Sequence, residues 1–279
     1  MKFLMANKFG IMQGRLLPKL NNRYQAHPIG YWQDEFILAK KLKLDLIEFI
    51  FDYDNYKLNP LMSLSGIENI QKIISETGVN VKTICADYFM EAPIHSANNS
   101  VSKKSLEILK ELIKNSSLLG VTDIILPCVD HSKLSDSSDL DRLITHLKSL
   151  NDFLKKYKVN ISLETDLNPL EFLELIKAVN TPFIKINYDT GNSASFGYNL
   201  SEEFNAYGEY ISDIHIKDRL LNGGSVFFGE GNTDFDLFFE ELKKLNYNGP
   251  IIFQLYRDDE GVEIFKKQFK LFQSKYFYE

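Results

Sequence analysis

Residues 160–189 read NISLETDLNPLEFLELIKAVNTPFIKINYD, and the order of patterns within them decides the fold. A β-rich apolar run, Asn160–Leu163, ends on Glu164. An amphipathic stretch follows over Pro169–Val179, with proline where a helix starts. A second near-continuous apolar run, Phe183–Tyr188, ends on Asp189. Apolar runs without polar alternation suit parallel strands covered on both faces, and strand–helix–strand order calls for a parallel sheet.

The same unit recurs on either side. Further strands are expected at Phe9–Gln13, Leu44–Phe51, Val79–Ala86, Asp123–Cys128, Ile211–Ile216 and Pro250–Leu255. Helical periodicity marks Trp32–Leu42, Gly66–Glu76, Lys103–Leu119, Leu140–Tyr157, Asp234–Leu245 and Gly261–Phe272, with a shorter stretch at Ser201–Tyr210. Eight strand–helix units in 279 residues, with no Pro/Gly/Ser-rich linker, predict an α/β protein. The expected form is a single (β/α)8 TIM-barrel domain over residues 1–279, since that fold typically takes about 250 residues. An open doubly wound sheet would carry a glycine-rich phosphate turn after its first strand. Here that strand runs into Gln13-Gly14-Arg15, without GxGxxG.

Composition narrows the setting. With 44% hydrophobic and 25% charged residues the chain can bury a core, which excludes disorder. A net charge of −6 speaks against a nucleic-acid partner. No window approaches the ~18 apolar residues of a membrane span. The opening MKFLMANKFG is broken by Asn7 and Lys8, unlike a signal peptide. Cys85 and Cys128 form no CxxC motif and read as buried, reduced thiols. A cytoplasmic protein without nucleic-acid or membrane partners is the expectation.

In a barrel of this kind the chemistry lies on the loops at the C-terminal ends of the strands. Those positions hold Gln13 and Arg15, Glu48, Asp87, Asp130, Glu164, Asp189, His215 and Gln254. Carboxylates gathered on one rim repel, and need a cation or shared protons. Glu164, Asp189, His215 and Gln254 stand on four successive strands and make a mixed oxygen–nitrogen set. Such a set suits one divalent metal ion, Mn²⁺ or Mg²⁺, with Co²⁺ or Zn²⁺ left open.

Four words add specificity: Gly10-Ile11-Met12-Gln13-Gly14-Arg15-Leu16, Leu163-Glu164-Thr165-Asp166, Asn187-Tyr188-Asp189-Thr190-Gly191-Asn192 and His215-Ile216-Lys217-Asp218-Arg219. They resemble the sugar phosphate isomerase/epimerase superfamily, the xylose isomerase-like TIM barrels related to ketose 3-epimerases, inosose dehydratases and endonuclease IV. The resemblance implies a metal held by Glu on strand five, Asp on six, His on seven and Glu on eight. Here these fall on Glu164, Asp189, His215 and the place taken by Gln254. It also implies a homodimer or homotetramer. Two departures stand out: Gln254 replaces the second glutamate, and Asn192 replaces the histidine of the family's D-x-x-H word. An amide coordinates through its oxygen but is no general base. The second proton of an epimerisation would then come from Asp87, Asp218 or a water.

The resulting expectation is a metal-dependent isomerase or epimerase acting on a sugar, sugar phosphate or sugar acid. It would abstract a proton next to a carbonyl and pass through an enediolate. Glu164 would be the base, with Lys217 and Asp218 in catalytic support. Substrate contacts are expected from Gln13, Arg15, Trp32, Glu48, Asp87, Asn192, Arg219 and Arg257. The arginines and Lys217 point to an anionic carbohydrate, or else they pair with rim carboxylates. Tyr88, Phe89, Phe196 and Phe227 either wall the pocket or pack in the core. Residues 222–231, rich in glycine, form either a lid or tight turns. An inosose-type dehydratase and a non-catalytic sugar-binding barrel remain alternatives. A three-metal phosphodiesterase would need more than the five histidines present.

Overall fold

The eight apolar runs pair in chain order. In the computed structural model, which describes residues 7–23, 25–259 and 261–277, the strands are β1 (Lys8–Met12), β2 (Leu46–Ile50), β3 (Thr83–Cys85), β4 (Asp123–Cys128), β5 (Asn160–Thr165), β6 (Ile184–Asp189), β7 (Ile211–Ile216) and β8 (Pro250–Phe253). All neighbours are parallel, and β8 returns to β1 with Phe9 opposite Ile251, closing the barrel. The expected span 1–279 reaches beyond the described residues at both ends.

Eleven helices surround these strands among the described residues: α1 (Gln33–Lys41), α2 (Leu64–Thr77), α3 (Tyr88–Glu91), α4 (Asn99–Ser117), α5 (Ser137–Ser149), α6 (Asn151–Tyr157), α7 (Pro169–Val179), α8 (Thr190–Phe196), α9 (Leu200–Tyr207), α10 (Phe235–Lys244) and α11 (Val262–Tyr276). Local chemistry sets several ends. A capping box joins Asn168 and Glu171 at the start of α7, with Pro169 in the first turn. The α2 helix starts on the Ser63 side chain and stops at Gly78, whose φ of 77° is left-handed.

One expected helix is two. The periodic stretch Leu140–Tyr157 breaks at Leu150, whose amide bonds to Leu147 O. That tighter turn redirects the chain while Leu143, Leu147, Leu150 and Leu154 all stay buried. None of the helices is long and apolar enough to cross a membrane, among the described residues.

Phenylalanine fills much of the layer between helices and barrel. Phe253 on β8 meets Phe265, Phe269 and Phe272 of α11 with ring centroids 4.9–6.1 Å apart. Inside the barrel the two sides differ. Met12, Leu46, Ile50, Cys85 and Ile252 make an apolar cluster from β8, β1, β2 and β3. On the other side Asp123 accepts from Asn160 Nδ2 and Ser162 Oγ, and Asn187 Nδ2 donates to Asp213. Those buried polar groups make a hydrogen-bonded floor beneath the mouth.

Candidate active site

Strand pairing brings three ionisable residues to one point. Asp189 ends β6 opposite His215 on β7, and Glu164 stands one residue before the end of β5. One oxygen or nitrogen from each lies within 4.8 Å of the others. Asp189 Oδ1 accepts from the Asn192 amide at 2.8 Å, where it caps α8. Its Oδ2 lies 3.4 Å from Lys217 Nζ and 3.9 Å from His215 Nδ1. Glu164 Oε1 accepts from Asn192 Nδ2 at 2.7 Å, and Asn192 Oδ1 accepts from Arg219 Nη1 at 2.8 Å. Burial, then the neighbouring Asp189, pushes the Glu164 carboxyl above its usual range.

His215 is held from below. Its Nε2 lies 2.8 Å from Glu48 Oε1 and 3.3 Å from Asp213 Oδ2, and all three side chains are fully buried. Burial alone would lower the imidazole pKa, but Glu48 and Asp213 outweigh it and raise it. With Nε2–H donated to Glu48, Nδ1 faces Asp189, and its lone pair is open to a cation that displaces the second ring proton. That nitrogen is buried and has no hydrogen-bond partner.

Amides build the opposite wall. Arg15 Nη2 donates to Gln25 Oε1 at 2.9 Å, which fixes which end of the Gln25 amide carries the oxygen. Gln25 Nε2 therefore donates to Asp87 Oδ2 at 2.9 Å, and Gln254 must offer its NH₂ to Gln25 Oε1, at 2.8 Å. Gln254 Oε1 is left buried with no partner. Cys85 Sγ donates to the other Asp87 oxygen at 3.1 Å. Glu164, Asp189 and His215 gather donor atoms within 4.8 Å of one another, a set that fits a hard or borderline divalent cation, and Gln254 Oε1 stands unpartnered on the wall of the adjoining cavity.

Beside these groups lies a cavity of about 470 Å³. Asp87, Glu164, Asn192, Lys217, Arg219 and Gln254 line it, as do Gln25, Met90, Lys133, Asp166 and Phe196. Gln25 and Asp213 join the site without standing at a strand end. Gln25 lies in the irregular β1–α1 loop, where no periodicity gives a side chain's direction. Asp213 had a signal: it stands two residues before His215, hence on the same face of β7.

Several expected contacts lie elsewhere. Trp32 packs against the rings of His27, Phe36 and Phe49 and belongs to the core. Gln13 is fully buried, accepting from Ile50 N and His27 Nδ1 to brace the first strand end. Glu48 sits beneath His215 rather than against the cavity, because it stands two residues short of the end of β2. Arg257 donates to the carbonyls of Gly14 and Leu17, tying the β8 loop to the β1 loop. Arg15 serves Gln25 and Leu255 O, and burial lowers its pKa to about 10.

Asp218 also departs from its expected role. Its oxygens accept from the amides of Gly229, Gly231 and Thr233 at 2.9–3.2 Å. A Cβ on Gly231 would fall 2.1 Å from Asp218 Oδ1, so glycine is required there. Residues 222–231 are thus pinned turns, and Asp218 holds their backbone instead of lining the cavity. Tyr88 and Phe89 are core residues, whereas Phe196 is 43% exposed at the cavity.

Comparison with known proteins places this geometry among relatives. A family model described as xylose isomerase-like TIM barrel matches residues 36–275. The chain is 27% identical over 255 residues to the L-ribulose-5-phosphate 3-epimerase UlaE of Shigella flexneri serotype 5b (strain 8401), covering 87% of this chain and 89% of that one. The UlaE of Escherichia coli (strain SMS-3-5 / SECEC) is likewise 27% identical, over 254 residues, with the same coverage. Among solved structures, D-allulose 3-epimerase from Methylomonas sp. in complex with D-allulose has a TM-score of 0.77 at 17% identity, covering 97% of each chain. An IOLI protein with a binding zinc atom has a TM-score of 0.76 at 19% identity, covering 98% of this chain and 100% of that one. At such identities the structures share the fold.

Proposed function

The chain belongs to the xylose isomerase-like TIM-barrel family, and from that premise we propose that it is a divalent-metal-dependent ketose 3-epimerase, with a phosphorylated pentulose as its substrate class. The observation that carries this reading is the meeting of Glu164, Asp189 and His215 within 4.8 Å, with Glu164 lining a cavity and His215 Nδ1 and Gln254 Oε1 left unsatisfied. A cavity of about 470 Å³ is in the range that takes a small ligand.

Glu164, Asp189, His215 and the Gln254 carbonyl oxygen would hold Mn²⁺, Mg²⁺, Co²⁺ or Zn²⁺, which when bound polarises the ketone and offsets the charge of an enediolate. Glu164 takes the proton from C3, its orientation held by the Asn192 amide. Arg219 keeps Asn192 in place from the other side. Lys217, partly open to the cavity, offers an ammonium to a substrate oxygen or phosphate.

The test is incubation of the protein and Mn²⁺ with L-ribulose 5-phosphate in D₂O, followed by NMR. The expected result is deuterium at C3 and appearance of the C3 epimer. An enone absorption instead would mean that a β-hydroxyl is expelled, making the protein a dehydratase. Absence of both, with phosphorylated and free ketoses and all four ions, would sink the enzymatic reading.

A further inference from the structure

A 3-epimerase that works on both faces of a carbon needs two proton-handling groups, and Glu164 supplies one. Resting on the epimerase reading above, we propose that Asp87, at the end of β3, is the second acid–base residue and protonates C3 on the face opposite Glu164.

Four carboxylates line the cavity among the described residues: Asp87, Asp130, Glu164 and Asp166. Asp130 is exposed on a left-handed turn with φ of 50°, in the loop beyond β4. Asp166 lies on the loop just beyond Glu164, where Lys133 and Asp130 act on it. Asp218 is not among the residues that line the cavity, and its oxygens hold the amides of Gly229, Gly231 and Thr233. Asp87 remains, and it is built into the wall. Gln25 Nε2 and Cys85 Sγ hold its two oxygens, at 2.9 and 3.1 Å. Through Gln25 it connects to Gln254, the residue that cannot serve as an acid or base itself. In the closed barrel β3 and β5 flank β4 without pairing, so Asp87 and Glu164 enter the cavity from separate strands. Burial raises the Asp87 pKa against the pull of its hydrogen bonds from Gln25 and Cys85.

Protons and electrons balance without a co-reactant. The Glu164 carboxylate removes C3–H as a proton, and the bonding pair stays in the enediolate. That pair then forms a new C3–H bond with the proton of the Asp87 carboxylic acid on the other face. Asp87 leaves as a carboxylate and Glu164 as an acid, and exchange with water resets both.

The experiment is Asp87→Asn in D₂O with Mn²⁺ and L-ribulose 5-phosphate, reading deuterium in recovered substrate separately from inverted product. Inversion is expected to fall at least ~100-fold, while deuterium exchange with retention stays within about tenfold of wild type. Mn²⁺ affinity, measured by calorimetry, should not change. Inversion within tenfold of wild type overturns the assignment, pointing to Lys217 or water as donor. Equal loss of exchange and inversion, with Mn²⁺ still bound, overturns it too. Asp87→Ser carries the same expectations if the asparagine variant fails to fold. A wild-type protein that neither exchanges nor inverts would instead refute the epimerase reading, before any variant is made.

Discussion

The two sides of the barrel mouth are built from different chemistry. On β5, β6 and β7 the mouth is ionic: Glu164, Asp189 and His215 converge within 4.8 Å, and Lys217 and Arg219 surround them. Across β8 and β1 it is an amide wall, Gln254 and Gln25, with Arg15 and Asp87 at its ends. The ionic side gathers charge that a cation relieves. The amide side carries direction instead, because each NH₂ and each carbonyl is assigned by its neighbour. One side is therefore suited to hold an ion and move a proton. The other fixes where a neutral oxygen and one further carboxylate point.

Substitutions can break this contrast. The largest effect is expected on the ionic side, where Glu164→Gln removes the base but leaves its shape. Turnover should fall about 1,000-fold in the deuterium assay. A variant that keeps a tenth of its activity would show that the base lies elsewhere.

The next largest should come from beneath the mouth. Glu48→Gln leaves Asp213 as the one charged partner of His215 Nε2, which weakens the restraint that turns Nδ1 toward Asp189. Mn²⁺ affinity should drop about 10–100-fold by calorimetry, with the melting temperature of the metal-free protein little changed. Unchanged affinity would mean that His215 is aimed by packing alone.

The smallest effect should follow from making the two sides alike. Gln254→Glu adds a carboxylate where the amide oxygen stands unpartnered. Mn²⁺ affinity should rise by about tenfold, since affinity follows the charge of the ligand set. No gain would place Gln254 outside the reach of the ion.

Legibility in the sequence followed the same division. Strand runs such as Asp123–Cys128 and Ile211–Ile216 keep their expected limits, because continuous apolar runs between turns leave little choice of register. The apolar run Val79–Ala86 is longer than its strand: only Thr83–Cys85 pairs as one. Glu164 and Asp189 were readable as strand-end acids, since strand ends define the mouth. Trp32 and Arg257 were not readable in the same way. Long side chains on the loops reach either the cavity or a neighbouring loop, and both chose the protein's own core and carbonyls. Gln25 gave no local signal, because a loop residue has no period to orient it.

What the sequence determined by itself was the succession of eight units and the polar residue at each strand end, both consequences of short-range pattern. Only the tertiary structure decided which of those residues meet. Glu48 and His215 are 167 residues apart, and their hydrogen bond exists because the barrel closes. Gln254 and Gln25 meet across β8 and β1 for the same reason, at a separation of 229 residues. Side-chain direction along a strand is a local property, but a partner is supplied by closure. The closure put Glu48, expected as a substrate contact, beneath a histidine as its support.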